Sequence, residues 1–200
     1  MVNAIGGSIM KINGIIKCLI SFDFAVLTGS GLITPIFAIF ITNRIIGGTA
    51  IVVGFASTIY LAFFSITRLA SAYIVDRSLS ERNKILLSIL GTILVGLSYL
   101  LYIMARFPWH IYSLQALNGI GTALRYSPFM SLFTRYIDKG QESLEWGMAA
   151  VSTSMGQALT AAISGILIEE YGFNIVFSMA GIIIIMSSFI PITIYGRLFK

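Results

Sequence analysis

The sequence contains little charge, a single cysteine and a single histidine. Charged residues make up only 10% of its 200 residues, whereas an ordinary soluble domain has about 25%, so the chain has too few charges to cover a water-exposed surface. Cys18 alone cannot form an intramolecular disulfide or a cysteine-rich metal site, and His110 alone cannot build a multi-histidine centre. These shortages exclude a soluble domain and a disulfide scaffold, and we expect no metal and no cofactor.

Long apolar segments occupy most of the chain instead. Apolar residues make up 57% of it, and the mean hydropathy is +0.92. A membrane-spanning helix needs roughly 20 apolar residues, and six such segments are present: 15–41, 50–75, 85–105, 110–136, 147–168 and 174–195. They are apolar on all sides, unlike the alternating strands of a membrane barrel. We therefore predict an all-α integral membrane protein, one domain over residues 1–200 with six transmembrane helices.

The N-terminal part of the chain begins like a signal peptide, because Lys11 and Lys17 precede an apolar run. The apolar run then continues to Ile41, which is too long for a cleaved region, and no small-residue cleavage site ends it. We therefore predict a retained first helix, preceded by an amphipathic stretch over residues 1–17 on the membrane surface.

Basic residues fall mostly on one side of the predicted helices. Only Arg44 and Arg106 lie on the other side. The nine on the favoured side are Lys11, Lys17, Arg77, Arg82, Lys84, Arg135, Lys139, Arg197 and Lys200. Positive residues favour the cytoplasmic side, so we predict cytoplasmic termini in a multi-pass protein of the cell (plasma) membrane. The scattered positions of these residues do not indicate nucleic-acid binding.

The chain also resembles itself at an offset of 93 residues. The aligned pairs include Pro35 with Pro128, Gly47 with Gly140, and Asp76 with Glu169. Each unit would contain three helices, an odd number, so the second unit would be inverted relative to the first. We predict two inverted three-helix repeats, over residues 15–105 and 110–195, as in many secondary transporters.

Three motifs occur in order along the chain and together indicate a family resemblance. Residues 72–84 read Ala-Tyr-Ile-Val-Asp-Arg-Ser-Leu-Ser-Glu-Arg-Asn-Lys, similar to the signature Gly-x-x-x-Asp-Arg-x-Gly-Arg-Arg. Residues 115–121, Gln-Ala-Leu-Asn-Gly-Ile-Gly, are similar to Arg-x-x-Gln-Gly-x-Gly, and Tyr171-Gly172-Phe173 matches a Gly-aromatic loop. In this order the motifs resemble those of the major facilitator superfamily. The resemblance covers residues 18–195 and implies half of that family's fold.

The sequence departs from the family in detail and in length. Ala72 and Leu79 replace the glycines of the first motif, and Gln115 replaces an arginine that the family often uses in proton coupling. A complete family member has about twelve helices in two halves. The chain would then pair with a second copy or a partner half, be a fragment, or not transport alone.

Arg125 and Asp23 are the most informative charges within the predicted helices. A central arginine costs about 2.5–3.5 kcal/mol on insertion scales, so Arg125 should bind an anionic substrate group, form an ion-pair gate or make a fixed interhelical salt bridge. Asp23 is a proton-coupling candidate or a helix-start acid that faces the positive end of the helix dipole. Their predicted depths differ, which disfavours a pairing.

Four residues near the end of the second predicted helix form a candidate conformational latch: Asp76, Arg77, Arg82 and Arg68. In such a latch a carboxylate holds basic groups in one state and releases them in another. The alternatives are simple anchoring of the loop and, for Arg68, snorkelling of its side chain to the headgroups.

A further set of residues is predicted to line a substrate cavity. Glycine and proline interrupt the first and fourth predicted helices at corresponding positions, which indicates either a binding site or close helix packing. The set comprises Arg125, Gln115, Asn118, Tyr126, Gly29, Gly31, Pro35 and Pro128, and Tyr60 and Gln157 are further polar candidates.

The predicted function is secondary active transport of a small solute by alternating access, by a homodimer of six-helix halves or with a second six-helix half. The sequence does not identify the substrate. The alternative is a non-transporting membrane binding or assembly protein that retains half of a carrier fold. An intramembrane enzyme would need a nucleophile with a base or a metal centre; neither pattern is present, so we do not expect an enzyme.

Overall fold

The computed structural model describes residues 12–193, which form seven α-helices and no strand. The helices are α1 (Gly14–Gly31), α2 (Phe37–Arg44), α3 (Ala50–Ser78), α4 (Glu81–Tyr102), α5 (Pro108–Tyr136), α6 (Glu142–Tyr171) and α7 (Phe173–Ser187). The all-α prediction is confirmed. Predictions that concern residues 1–11 and 194–200, including Lys11, Arg197 and Lys200, lie outside the described residues.

Pro35 divides the first predicted helix into α1 and α2. A proline has no backbone N–H to donate, and residues 32–36 form turns between the two helices. Pro128, the residue aligned with it, lies inside α5 without ending that helix. The prediction of a single helix over 15–41 was therefore wrong in this detail.

Most connections between helices are shorter than predicted because charged residues extend the helix ends, whereas the α4–α5 connection over residues 103–107 is not. Only Leu79 and Ser80 separate α3 from α4, and the Ser80 hydroxyl accepts a hydrogen bond from the N–H of Asn83, which caps α4. Gly47 and Gly140 occupy the α2–α3 and α5–α6 connections with φ of 77° and 86°, a conformation that glycine adopts without strain.

Four helices are long and apolar enough to cross a membrane: α1, α3, α4 and α6. Helix α7 is shorter, with 15 residues, and α5 carries Gln115, Asn118 and Arg125 in its interior. Length and composition thus support a multi-pass membrane protein, with fewer clear spans in residues 12–193 than the six predicted.

Helix α5 packs against α3 and α4, while α1 packs against α6 and α7, and α4 against α7. The α4–α5 contact is close because two glycines face each other: a Cβ on Gly91 would lie 2.5 Å from the Gly121 carbonyl oxygen. Gly96 and Gly181 make the equivalent contact between α4 and α7. Helices α3 and α6 expose many apolar side chains, among them Ile66, Leu69 and Leu159.

We expect Gly91→Ala to destabilise the protein by about 1–3 kcal/mol, the cost of overpacking a tight contact. Gly54→Ala is the matched control, because no atom lies within 4 Å of its added methyl group. Both variants gain the same helix propensity, so the difference in melting temperature between them in detergent reports the contact. Equal melting temperatures would contradict the packing described.

Candidate functional site

A cavity of about 480 Å³ lies between α1, α3, α4 and α5, with Gln157 of α6 at its edge. One part of its wall is apolar and includes Val26, Phe37 and Val95. The polar residues in the wall are Ser30, Thr34, Ser57, Tyr60, Tyr99, Tyr102, Gln115, Asn118, Thr122, Arg125 and Gln157. Among the described residues 12–193, Arg125 is the single charged member of this wall.

Arg125 forms a buried ion pair with Asp23. Its Nη1 donates a hydrogen bond of 2.5 Å to Asp23 Oδ1, and the two side chains are 3% and 11% exposed. The pair joins α5 to α1. The expectation that different depths keep the two residues apart was wrong, because α1 begins at Gly14 and places Asp23 well inside the helix.

This position also excludes Asp23 as a helix-start acid. Asp23 lies nine positions after Gly14, the first residue of α1, which is more than two helical turns, whereas the helix dipole acts within the first turn. The pair therefore combines two of the predicted roles of Arg125, since it is both a salt bridge between helices and a charged group at a cavity wall.

The site retains hydrogen-bonding capacity that the protein does not use. Arg125 Nε and the Tyr102 hydroxyl are buried and have no hydrogen-bond partner in the part of the chain that the structure describes. The Gln115 and Gln157 amides form no hydrogen bond to residues 12–193. Unpaired buried polar groups are costly, so the wall is suited to a polar ligand that supplies the missing partners.

Neighbouring hydroxyls are already used by their own helices. Ser30, Thr34 and Ser57 each donate to a backbone carbonyl four residues earlier, at 3.0–3.1 Å. Their oxygen atoms remain available only as acceptors. The cavity thus offers acceptors on α1 and α3, and amide and guanidinium donors on α5.

Three of the eight predicted cavity residues line this cavity: Arg125, Gln115 and Asn118. Gly31 and Pro35 border a smaller cavity of about 300 Å³, which shares Thr34 and Gln157 with the larger one.

The other three predicted residues lie elsewhere. Gly29 packs closely against Ile184 of α7, and Pro128 is buried within α5. The Tyr126 ring lies 5.9 Å from the guanidinium carbon of Arg125, outside the cavity wall.

The predicted latch residues do not form a single cluster. Asp76 Oδ1 accepts a hydrogen bond of 3.2 Å from Ser131 Oγ, which in turn accepts one of 2.8 Å from Lys84 Nζ. Arg77 Nη1 donates to the Tyr73 hydroxyl at 3.0 Å, and Arg82 is exposed in the first turn of α4.

Arg68 has different neighbours from the rest of the proposed latch. Its guanidinium lies over the rings of Tyr126 and Phe64, at 4.6 and 5.5 Å. The salt bridge in this region is formed by two residues outside the predicted latch: Arg135 Nε lies 2.9 Å from a carboxylate oxygen of Glu81. The sequence did not indicate this contact.

Several cavity residues were missed, above all Tyr99 and Tyr102 of α4. Residues three apart lie on the same helix face, so two tyrosines at this spacing in an apolar helix are a signal that could have been used. No group of three or more metal-binding side chains occurs in the part of the chain that the structure describes.

We expect the Arg125–Asp23 pair to show strong coupling in a double-mutant cycle. Asp23→Asn or Arg125→Met alone should cost about 3–5 kcal/mol, because each leaves a buried charge without its partner. The double variant should recover much of that loss, as measured by chemical denaturation in detergent.

The exposed salt bridge is the matched control. Arg135 is 64% exposed, and such pairs contribute about 0–1 kcal/mol, so Arg135→Gln should have little effect. Additive losses in the Asp23–Arg125 cycle would show that the two charges do not stabilise each other.

Comparisons with known proteins add to this geometry. The chain is 30% identical over 102 residues to a protein named monocarboxylate transporter 12 from Mus musculus, which is 50% of this chain and 20% of that protein. It is also 30% identical over 103 residues to the protein of that name from Xenopus laevis, or 51% of this chain and 21% of that one. The match thus spans about a fifth of each relative. No solved structure matches the chain.

The family model described as Major Facilitator Superfamily matches residues 19–198. That match covers nearly the whole chain, in agreement with the motifs at 72–84 and 115–121. The family consists of membrane transporters rather than enzymes, so the expectation that the chain is not an enzyme is confirmed. On this match, the protein belongs to the Major Facilitator Superfamily.

Proposed function

We propose that the protein is a secondary active transporter that moves a small solute across the cell membrane by alternating access. The observation that carries this proposal is the cavity of about 480 Å³ with Arg125 in its wall, where Arg125 is held by an ion pair with the buried Asp23. A buried pair that borders a polar cavity can exchange one partner for a ligand, whereas a purely structural pair needs no cavity beside it.

The proposed substrate is a small monocarboxylate, the class that the names of the two relatives give. A carboxylate accepts two parallel hydrogen bonds from a guanidinium, and Arg125 Nε has no partner among the described residues. Tyr102, also without a partner, would donate to the same group. The Gln115 and Asn118 amides would bind hydroxyls on the rest of the solute.

Proton coupling follows from the charge balance of the pair. While Asp23 is ionised it occupies Arg125, so an added anion would bring an uncompensated charge into a buried site. A proton on Asp23 removes that competition and frees Arg125 for the substrate carboxylate. Asp23 is therefore the proposed proton-coupling group, and one proton would accompany each anion.

The proposed architecture is one half of the family fold, with six spans in two inverted repeats and cytoplasmic termini. Helix packing supports the repeat, in which α1, α3 and α4 correspond to α5, α6 and α7. The contact of α1 with α6 corresponds to that of α5 with α3, and the contact of α1 with α7 corresponds to that of α5 with α4. The positive φ of both Gly47 and Gly140 supports the same alignment. The hydrogen bond that Asp76 accepts from Ser131 supports the role of Asp76 in a cytoplasmic latch.

The missing half would come from a second copy of the chain. The apolar faces of α3 and α6, with residues such as Leu69 and Leu159, are the surfaces proposed to meet it. A second half would also close the open side of the cavity.

We expect Asp23→Asn to uncouple transport from the proton gradient. In proteoliposomes, uptake of labelled L-lactate driven by an inward proton gradient should fall at least tenfold. Exchange of internal for external lactate should continue, because Arg125 remains free to bind the anion without a proton step.

The double variant Asp23→Asn/Arg125→Gln supplies the control. It keeps an uncharged hydrogen-bonding pair but has no guanidinium, so both uptake and exchange should be lost while the protein remains monodisperse. Gradient-driven uptake by Asp23→Asn at the wild-type rate would rule out Asp23 as the coupling group.

We expect two chains per assembly in a native-like bilayer. Lys139 lies in the exposed α5–α6 connection, so Lys139→Cys in a Cys18→Ser background gives a single labelling site. Two bleaching steps per particle should predominate. One step per particle would contradict the dimer and would favour a partner half or the non-transporting alternative.

A further inference from the structure

Arg68 of α3 is a cation that no carboxylate in residues 12–193 neutralises. Its guanidinium lies 4.6 Å from the centre of the Tyr126 ring and 5.5 Å from that of Phe64. Aromatic faces stabilise a guanidinium but leave the N–H groups at its edge free. Arg68 is thus held in place with its donors still available.

Tyr126 connects Arg68 to the ion pair. Its ring lies 4.6 Å from the guanidinium carbon of Arg68 and 5.9 Å from that of Arg125. One aromatic side chain therefore lies next to both cations, which places the unpaired arginine beside the paired one.

Arg68 also borders a second space, a cleft of about 410 Å³ between α3 and α5. Its wall includes Arg68, Asp76, Ser127, Ser131 and Arg135. The cleft is the next space along α3 and α5 in the C-terminal direction of both helices. Helix α3 contributes Ser57, Tyr60 and Leu61 to the cavity and residues 68, 72 and 76 to the cleft. Phe64 and Tyr126, whose rings contact Arg68, lie along α3 and α5 between the residues of the cavity and those of the cleft.

We propose that Arg68 is a second anion-binding position, which receives the carboxylate of the substrate between Arg125 and the cytoplasmic end of the α3–α5 groove. This inference rests on the proposed function and adds a stage to it. The carboxylate would leave Arg125 when Asp23 regains its charge, and would bind the free edge of the Arg68 guanidinium.

The far end of the cleft favours release. Asp76 lies there, with one carboxylate oxygen bonded to Ser131, and a negative charge repels an anion that stays close to it. Arg135 is largely exposed at the same wall, so its attraction for an anion is screened by water. Binding at Arg68 is therefore brief, as a transit position requires.

The test compares the two faces of the membrane. Inside-out and right-side-out vesicles from cells that express the full chain present the cytoplasmic and the opposite face to labelled L-lactate. We expect Arg68→Gln to raise KM at least fivefold in inside-out vesicles and less than twofold in right-side-out vesicles. Arg68→Lys keeps the charge without the bidentate geometry and should give an intermediate KM.

Two further variants separate this role from a structural one. Tyr126→Leu removes the ring that holds Arg68 and should raise the cytoplasmic KM, whereas Tyr126→Phe should not. Arg44→Gln is the matched control, because Arg44 also lies over an aromatic ring, that of Phe173, at 5.8 Å, but borders neither space. Its KM should match the wild type on both faces.

The outcomes distinguish this inference from the function on which it rests. If Arg68→Gln leaves the cytoplasmic KM unchanged, the transit position is overturned. Lactate flux through the wild type would still support the proposed transport. An equal rise of KM on both faces assigns Arg68 to the central site and also overturns it. Absence of lactate flux in the wild type overturns both proposals.

Discussion

The buried ion pair between Arg125 and Asp23 is the interaction on which the rest of the structure depends. Neither charge is tolerated alone at a low-dielectric site, so each residue determines where the other must lie. The pair brings α1 against α5 at the wall of the main cavity. Its net charge is zero, and this balance makes the site sensitive to a proton or to a ligand that carries one charge.

Close backbone contact holds the arginine in position. Gly91 of α4 lies against α5 at Gly121 and at the backbone N–H of Arg125, where a side chain larger than hydrogen would push the helices apart. Ser88, one turn earlier, donates to the Arg125 carbonyl at 3.2 Å. Helix α4 therefore supports the charged residue from behind, while its tyrosines Tyr99 and Tyr102 face the cavity.

Sequence patterns predicted most of the helices and part of the site. Long apolar runs locate α3 to α7 to within a few residues, apart from the end of α7, because hydrophobic length is a local property. Gln115, Asn118 and Arg125 were recognised because polar groups are rare in apolar helices. The contact between Asp23 and Arg125 was not recognised. The packing of two segments that are distant in sequence determines which residue of α1 faces α5. The break at Pro35 and continuity at Pro128 show the same dependence on context.

The order of the two charges along the chain matters for membrane insertion. Asp23 is synthesised about a hundred residues before Arg125. A carboxylic acid has a neutral form, which an apolar medium tolerates better than an ion. A guanidinium has no such option, since it keeps its proton at any physiological pH. The acid that pairs with Arg125 in the folded protein is therefore already synthesised when α5 is made. The residue whose side chain has a neutral form thus precedes the permanent cation in the sequence. The cation therefore has its partner available when its own helix is made.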